Sequence, residues 1–246
     1  MTSRSVDAGE IAHFAGMAGG WWDESGPFRP LHRINPIRLT YLRERLIGNF
    51  GRDAGKLRPF DGLSLVDIGC GGGLIAEPMA RLGFTVTGID ATEKSLDVAR
   101  VHAAAEDVAV DYRLETAEAL AESGARFDVV LALEVVEHVA DVTSFVDAVG
   151  TLLRPGGTAV LSTLNRTFRS YAFGIVGAEY VLRWLPRGTH RWSKFLKPSE
   201  LAAALRHAGL VVEDLTGMSY DPLGDRWHLG RDLAINYLMT ARKPAA

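Results

Sequence analysis

From Leu63 onward, short apolar runs alternate with segments whose apolar residues recur at helical spacing, the sequence form of repeated strand–helix–strand units. The run 63–69 (LSLVDIG) reads as a first strand, buried on both faces because its apolar residues barely alternate. A helix is expected over 74–83, ended by Gly83, then a second strand over 84–90. The helix expected over 92–106 has Thr92 as its cap, and third and fourth strands are read at 108–114 and 127–135. The helix at 141–153 should stop at the Pro155-Gly156-Gly157 turn, ahead of a fifth strand at 158–164. A helix at 198–208 and strand-like runs near 210–215 and 233–241 complete the pattern. Two segments break it: 1–60, mostly helical with a Trp-rich turn, and 165–197, after the fifth strand. The expectation is one α/β domain over 1–246. Within it, 1–60 is a helical cap, 63–164 the core, 165–197 an insertion, and 198–246 the C-terminal helix and strands.

Composition narrows this little. The chain has 246 residues, 47% hydrophobic and 23% charged, which suits a folded domain with a large core. A net charge of -3 gives no overall attraction to nucleic acid. The single cysteine, Cys70, excludes an internal disulfide and fits a reducing compartment. No run approaches about 18 apolar residues, and acidic residues interrupt the first segment where a secretory signal needs an apolar run. A cytoplasmic protein is expected.

Candidate chemistry begins where the first strand meets Asp67-Ile68-Gly69-Cys70-Gly71-Gly72-Gly73 and a helix follows. Glycines permit a tight turn and let a ligand approach the backbone. A dinucleotide fingerprint would need a third glycine at 74, which is Leu74, and a P-loop would need a lysine that is missing. Asp90 closes the second strand about twenty residues later, where a carboxylate accepts both ribose hydroxyls of an adenosine. The bland alternative is a tight turn plus a helix-capping aspartate.

DIGCGGG followed by GID resembles the motifs of class I S-adenosylmethionine methyltransferases over roughly residues 63–164. The resemblance implies a Rossmann-like, seven-stranded, mostly parallel sheet with helices on both faces and one antiparallel strand near the C-terminus. It places Gly69 and Gly71 under the methionine moiety, Asp90 on the ribose and Leu133 in the cofactor pocket. Glu115-Thr116-Ala117-Glu118 stands where the class often has an adenine-side aspartate.

Other stretches are similar to one family, the bacterial and mitochondrial ubiquinone biosynthesis O-methyltransferases. They are Trp21-Trp22-Asp23, FRPLHRINPIRL (28–39), EVVEHV (134–139), STLNRT (162–167), VGAEYVLRWLPRGTH (176–190) and INYLM (235–239). The family's substrates are polyprenylated catechol-type rings, methylated on oxygen at two steps, and its members imply other enzymes of that pathway as partners. Arg38 stands where the family has a cofactor-contacting arginine, with a charge-assisted bond to the methionine carboxylate as its role.

Such a reaction needs a phenolate, and a phenol's pKa lies near about 10. Glu134, Glu137 and His138 cluster at the end of the fourth strand, resembling a Glu-x-x-Glu-His arrangement of the family with which a divalent ion is associated. Three readings stand. The trio binds Mg²⁺ or a similar ion that a catecholate completes; His138 acts as base; or the residues cap a helix and face solvent. Glu134 and His138 are thus the candidate catalytic residues, with His190 a second candidate base.

Residues 165–197 hold seven basic residues, one acidic residue and seven of the 21 aromatics, for a net +6 that leaves -9 elsewhere. Arginines among rings suit an interfacial surface on anionic lipid, and a long-tailed substrate gives it a purpose. A lid packed on the sheet is the plainer reading. The acidic remainder argues against nucleic acid. The localisation expected is therefore cytoplasmic, at the inner face of the membrane. Two competing functions are a methyltransferase for another small phenol or quinone and an inactive cofactor-binding scaffold.

Overall fold

The computed structural model describes residues 7–172, 192–221 and 224–245. Helix α1 (Ala8–Met17) starts at Asp7, whose carboxylate accepts from the amides of Gly9 and Glu10. A Trp-containing turn leads to α2 (Arg29–Phe50), which ends at Gly51 in the left-handed conformation. Ile34, Arg38, Tyr41, Leu42 and Leu46 recur at helical spacing, so α2 turns one continuous face inward. The core follows as β1 (Ser64–Ile68), α3 (Ala76–Arg81), β2 (Thr85–Asp90), α4 (Glu93–Ala105), β3 (Asp111–Leu114), α5 (Ala117–Glu122) and β4 (Phe127–Leu133). After it come α6 (Val142–Leu152), β5 (Leu153–Leu164), the single turn α7 (Phe168–Ser170), α8 (Pro198–His207), β6 (Val211–Asp221), β7 (Arg226–Gly230) and β8 (Asn236–Arg242).

The strands form one sheet in the order β3-β2-β1-β4-β5-β8-β6-β7. β1 to β5 pair in parallel, whereas β8 runs antiparallel to β5 and β6. The Rossmann-like expectation holds, with eight strands among the described residues rather than seven. The added strand is β7, antiparallel to β6 at the sheet edge. It alternates regularly but over only five residues, with Trp227 and Leu229 its two bulky apolar side chains. Three local expectations also change. Thr92 sits at the N-cap of α4 without a side-chain capping bond; instead Asp90 Oδ1 accepts from the Thr92 amide at 2.8 Å. β5 begins at Leu153, because Phe127 pairs with Leu153 before the register shifts to Val129 opposite Thr158. α5, six residues long, is too short to display a helical period.

Two apolar layers hold the sheet. Leu120, Phe145, Val149, Leu152, Leu201 and Leu205 cover one face from α5, α6 and α8. Leu42, Leu46, Met79, Leu96 and Ala99 cover the other from α2, α3 and α4. Each fully buried leucine contributes roughly 1.5–3 kcal/mol of transfer free energy, and this layering fixes which strand ends share an edge. The ends of β1, β2, β4 and β5 meet on one edge, the usual ligand side of an open parallel sheet.

Candidate active site

β1 leads into the glycine loop. Gly69, Gly71 and Gly73 all have positive φ, at 68°, 53° and 90°. A Cβ on Gly69 would lie 2.6 Å from Val135 Cγ2, and one on Gly71 would lie 2.3 Å from the Trp21 ring. Backbone conformation and close approach thus both demand glycine here. Asp90, closing β2, accepts from the Gly71 amide through Oδ2 at 2.9 Å and from Thr92 through Oδ1. Loop and carboxylate are therefore one unit, as their spacing suggested. Burial raises the Asp90 carboxyl, opposed by these amide bonds. Burial together with the Asp90 charge pushes the Asp67 carboxyl up to about 7.

The tryptophan pair docks on this loop. Trp21 stacks on Phe28 with centroids 3.7 Å apart and donates from Nε1 to Ser95 Oγ at 3.0 Å. Trp22 donates from Nε1 to the Gly72 carbonyl at 2.9 Å and stacks flat on His102, centroids 3.4 Å apart. His102 Nδ1 lies 3.0 Å from the Glu77 carboxylate of α3. Both indoles tie the N-terminal segment to the glycine loop and α4.

Arg38 lies on the buried face of α2 and is only 3% exposed, not a solvated helix residue. Nη2 donates to Glu134 Oε1 at 2.6 Å, and Nε is buried without a partner. An orphaned guanidinium N–H beside the glycine loop's strand edge fits an anionic group such as the methionine carboxylate. Leu133, half-buried at the end of β4, packs on the same layer as α2.

Immediately after it, Glu134 takes a left-handed backbone, φ 57°, unusual for a residue with a side chain. Ser162 of β5 holds it there. Its Oγ and carbonyl accept from the Glu134 amide, and its hydroxyl donates to Glu134 Oε1 at 2.8 Å. Glu137 is buried and accepts from Thr163 Oγ1 at 2.8 Å through Oε2, while its Oε1 is buried without a partner. Burial and the neighbouring Glu134 charge hold the Glu137 carboxyl well above its ordinary value.

The expected metal set is corrected here. Among the described residues no group of three or more His, Cys, Asp or Glu side chains could hold a metal. Glu134 is engaged by Arg38, Glu137 by Thr163, and His138 faces α1, with Nδ1 3.0 Å from Glu10 Oε2. Adjacent sequence positions in a tight turn send their side chains in different directions, so Glu134, Glu137 and His138 do not converge. The hydrogen bond to His138 lowers the Glu10 carboxyl, opposed by burial, and Lys194 adds to the lowering. Phe14 meets the His138 ring edge-on at 5.2 Å. Sequence reasoning missed Glu10, 128 positions away from His138, because no local pattern signals such a contact. It also assigned no role to Ser162 and Thr163, although they open the STLNRT stretch at the end of a strand. His190, Arg183, Arg187 and Arg191 lie outside the described residues.

Residues 39–215 match the model of a methyltransferase domain family. The chain is 54% identical over 245 residues to a ubiquinone biosynthesis O-methyltransferase of Methylobacterium nodulans, covering 100% of this chain and 98% of that one. The chain belongs to the ubiquinone biosynthesis O-methyltransferase family. Another member, from Chelativorans sp., is 52% identical over 242 residues, covering 98% and 96% of the two chains. Among solved structures, a magnesium protoporphyrin IX methyltransferase from Synechocystis with bound S-adenosylmethionine superposes with a TM-score of 0.62 at 17% identity, covering 98% and 100%. At that identity it speaks for the fold alone. The protein is an S-adenosylmethionine-dependent O-methyltransferase.

Proposed function

We propose that this enzyme methylates phenolic hydroxyls of polyprenylated catechol-type intermediates, at two steps of ubiquinone biosynthesis. The observation that supports this most is the Arg38–Glu134–Glu137 cluster, set at the same strand edge as the glycine loop and Asp90. S-adenosylmethionine supplies a methyl on a positively charged sulfur, already a strong electrophile. The protein's share is alignment, water exclusion and removal of a phenolic proton. Arg38 binds the methionine carboxylate through its unpartnered Nε, while Gly69, Gly71 and Asp90 form the bed for the rest of the cofactor. Glu134, paired with Arg38, and Glu137, whose carboxyl burial raises, present little net charge to an incoming phenol. His138 is the base. Glu10 holds its Nδ1, which favours the tautomer that keeps Nε2 as proton acceptor. No step is routed through a divalent ion, since the residues as arranged do not assemble one. Label transfer from methyl-labelled S-adenosylmethionine to a prenylated catechol tests the reading. Label on oxygen supports it, and a chain that binds cofactor but labels no phenol overturns it.

The membrane expectation stands as a second proposal, supported by Phe168 (79% exposed), Tyr171 (45%) and Trp192 (41%), which border the insertion's undescribed stretch. No helix among the described residues is long and apolar enough to cross a membrane, so contact would be interfacial. Wild-type protein should co-sediment with anionic liposomes, and Arg183→Glu, Arg187→Glu and Arg191→Glu together should weaken this at least fivefold. Equal sedimentation of both proteins refutes it.

A further inference from the structure

We propose that the cleft between the 136–142 turn, the 193–196 segment and α8 is the site of the acceptor's isoprenoid tail, an uncharged branched hydrocarbon; this rests on the acceptor chemistry proposed above. The cleft encloses about 910 Å³, near the upper end of the roughly 300–1,000 Å³ usual for small-molecule sites. Val136, Phe195 and Leu196 are buried and form its floor, and Val139, Val142 and Ala204 form apolar sides. Glu137 also lines it, three residues along the same turn from Glu134, which Arg38 holds. The cleft therefore lies next to the turn that carries the proposed reaction centre. A ring at the centre would send its tail past Glu137.

Four of the charged side chains around the cleft, Asp7, Arg166, Lys194 and Glu200, are paired, leaving His207 and the buried Glu137 in its lining. Lys194 Nζ lies 2.9 Å from Asp7 and 3.4 Å from Glu10, and Arg166 bonds Glu200. Neutralised in this way, the rim offers little to an ionic ligand, and carbon dominates what remains. Helices and turns make the walls, with no open strand edge for an extended peptide among the described residues. Arg166 and Lys194 also mark the two ends of the insertion that carry the exposed rings Phe168 and Trp192, so a chain leaving a bilayer would meet the cleft's mouth first.

Steady-state kinetics on the full chain with two catechols, one without a tail and one with four isoprene units, test this. In the wild type the tail should lower KM by about 100-fold with kcat little changed, since each buried methylene favours binding by about 0.8 kcal/mol, nearly fourfold. Ala204→Trp, from the wall of α8, should raise KM for the tailed acceptor about tenfold and leave the tail-less one unchanged. If that variant does not fold, Ala203→Trp, on the exposed side of the same wall, replaces it. Methylation of both acceptors with equal KM, or a variant that shifts both alike, overturns the cleft assignment while the proposed function survives. So does a tail-indifferent enzyme whose self-association is lost on Ala204→Trp, which would give the cleft to a second copy. Transfer to neither acceptor defeats the functional reading itself.

Discussion

The two halves of the site are built by different means. On the cofactor side, recognition is mostly backbone: three glycines at positive φ, an amide held by Asp90, and indoles laid on the loop. The other half is side chain against side chain, drawn from distant parts of the chain: Arg38 with Glu134 next to the loop, Thr163 with Glu137, Glu10 with His138. Backbone geometry tolerates no side chain where the ligand must come close. Side-chain clusters tolerate change if their charges stay balanced, which suits the half that distinguishes one phenol from another.

The largest effect should come from breaking the backbone half. Gly71→Ala forces a Cβ onto Trp21 at a left-handed residue, and calorimetry should find affinity for S-adenosylhomocysteine reduced at least 100-fold. Gly156→Ala, also at positive φ (79°) but with nothing within 4 Å, should cost about 1 kcal/mol of stability and leave that affinity intact. Equal losses in the two variants would mean that conformational strain, not the cofactor cradle, governs the effect.

Next comes the side-chain half. Arg38→Met leaves Glu134 without its buried partner and should lower unfolding stability by about 3 kcal/mol in urea titrations, with kcat/KM reduced at least 100-fold. Adding Glu134→Leu should recover much of the stability but none of the activity. Recovery of both would reduce the pair to a structural strut.

The smallest effect tests a residue beneath the backbone half. Asp67 sits under the loop with its carboxyl pushed up to about 7 by burial and Asp90. The folded state thus holds a proton that the unfolded chain releases near pH 4. Its stabilisation is complete at low pH and is lost as pH rises toward 7. Asp67→Asn, neutral throughout, should match the wild type in thermal midpoint at pH 4 and exceed it by about 5 °C at pH 8. A constant gap across that range would remove Asp67 from the pH response.

The reach of sequence reasoning follows the same division. β1, β2, β4 and the loop between Gly69 and Gly73 were legible because buried parallel strands are continuous apolar runs and glycine spacing survives in one dimension. β7 was not, since an edge strand with one half-buried face carries few apolar residues. Arg38 could be singled out only by resemblance, although its spacing from Ile34 and Tyr41 already placed it on the inward face of α2.

The polar trio shows where local pattern stops. Glu134, Glu137 and His138 are neighbours in sequence, and proximity suggested one ligand set; the fold gave them Arg38, Thr163 and Glu10 instead.

By itself, the order of residues determined the alternating architecture, the bend that only glycine can make and the acid that follows it, because those depend on short-range sterics and period. Which carboxylate meets which cation, where the indoles land and which face opens into an apolar cleft were settled by tertiary structure alone. Those contacts join segments up to about 190 positions apart, such as Lys194 with Asp7, and their energies depend on burial that no local window contains.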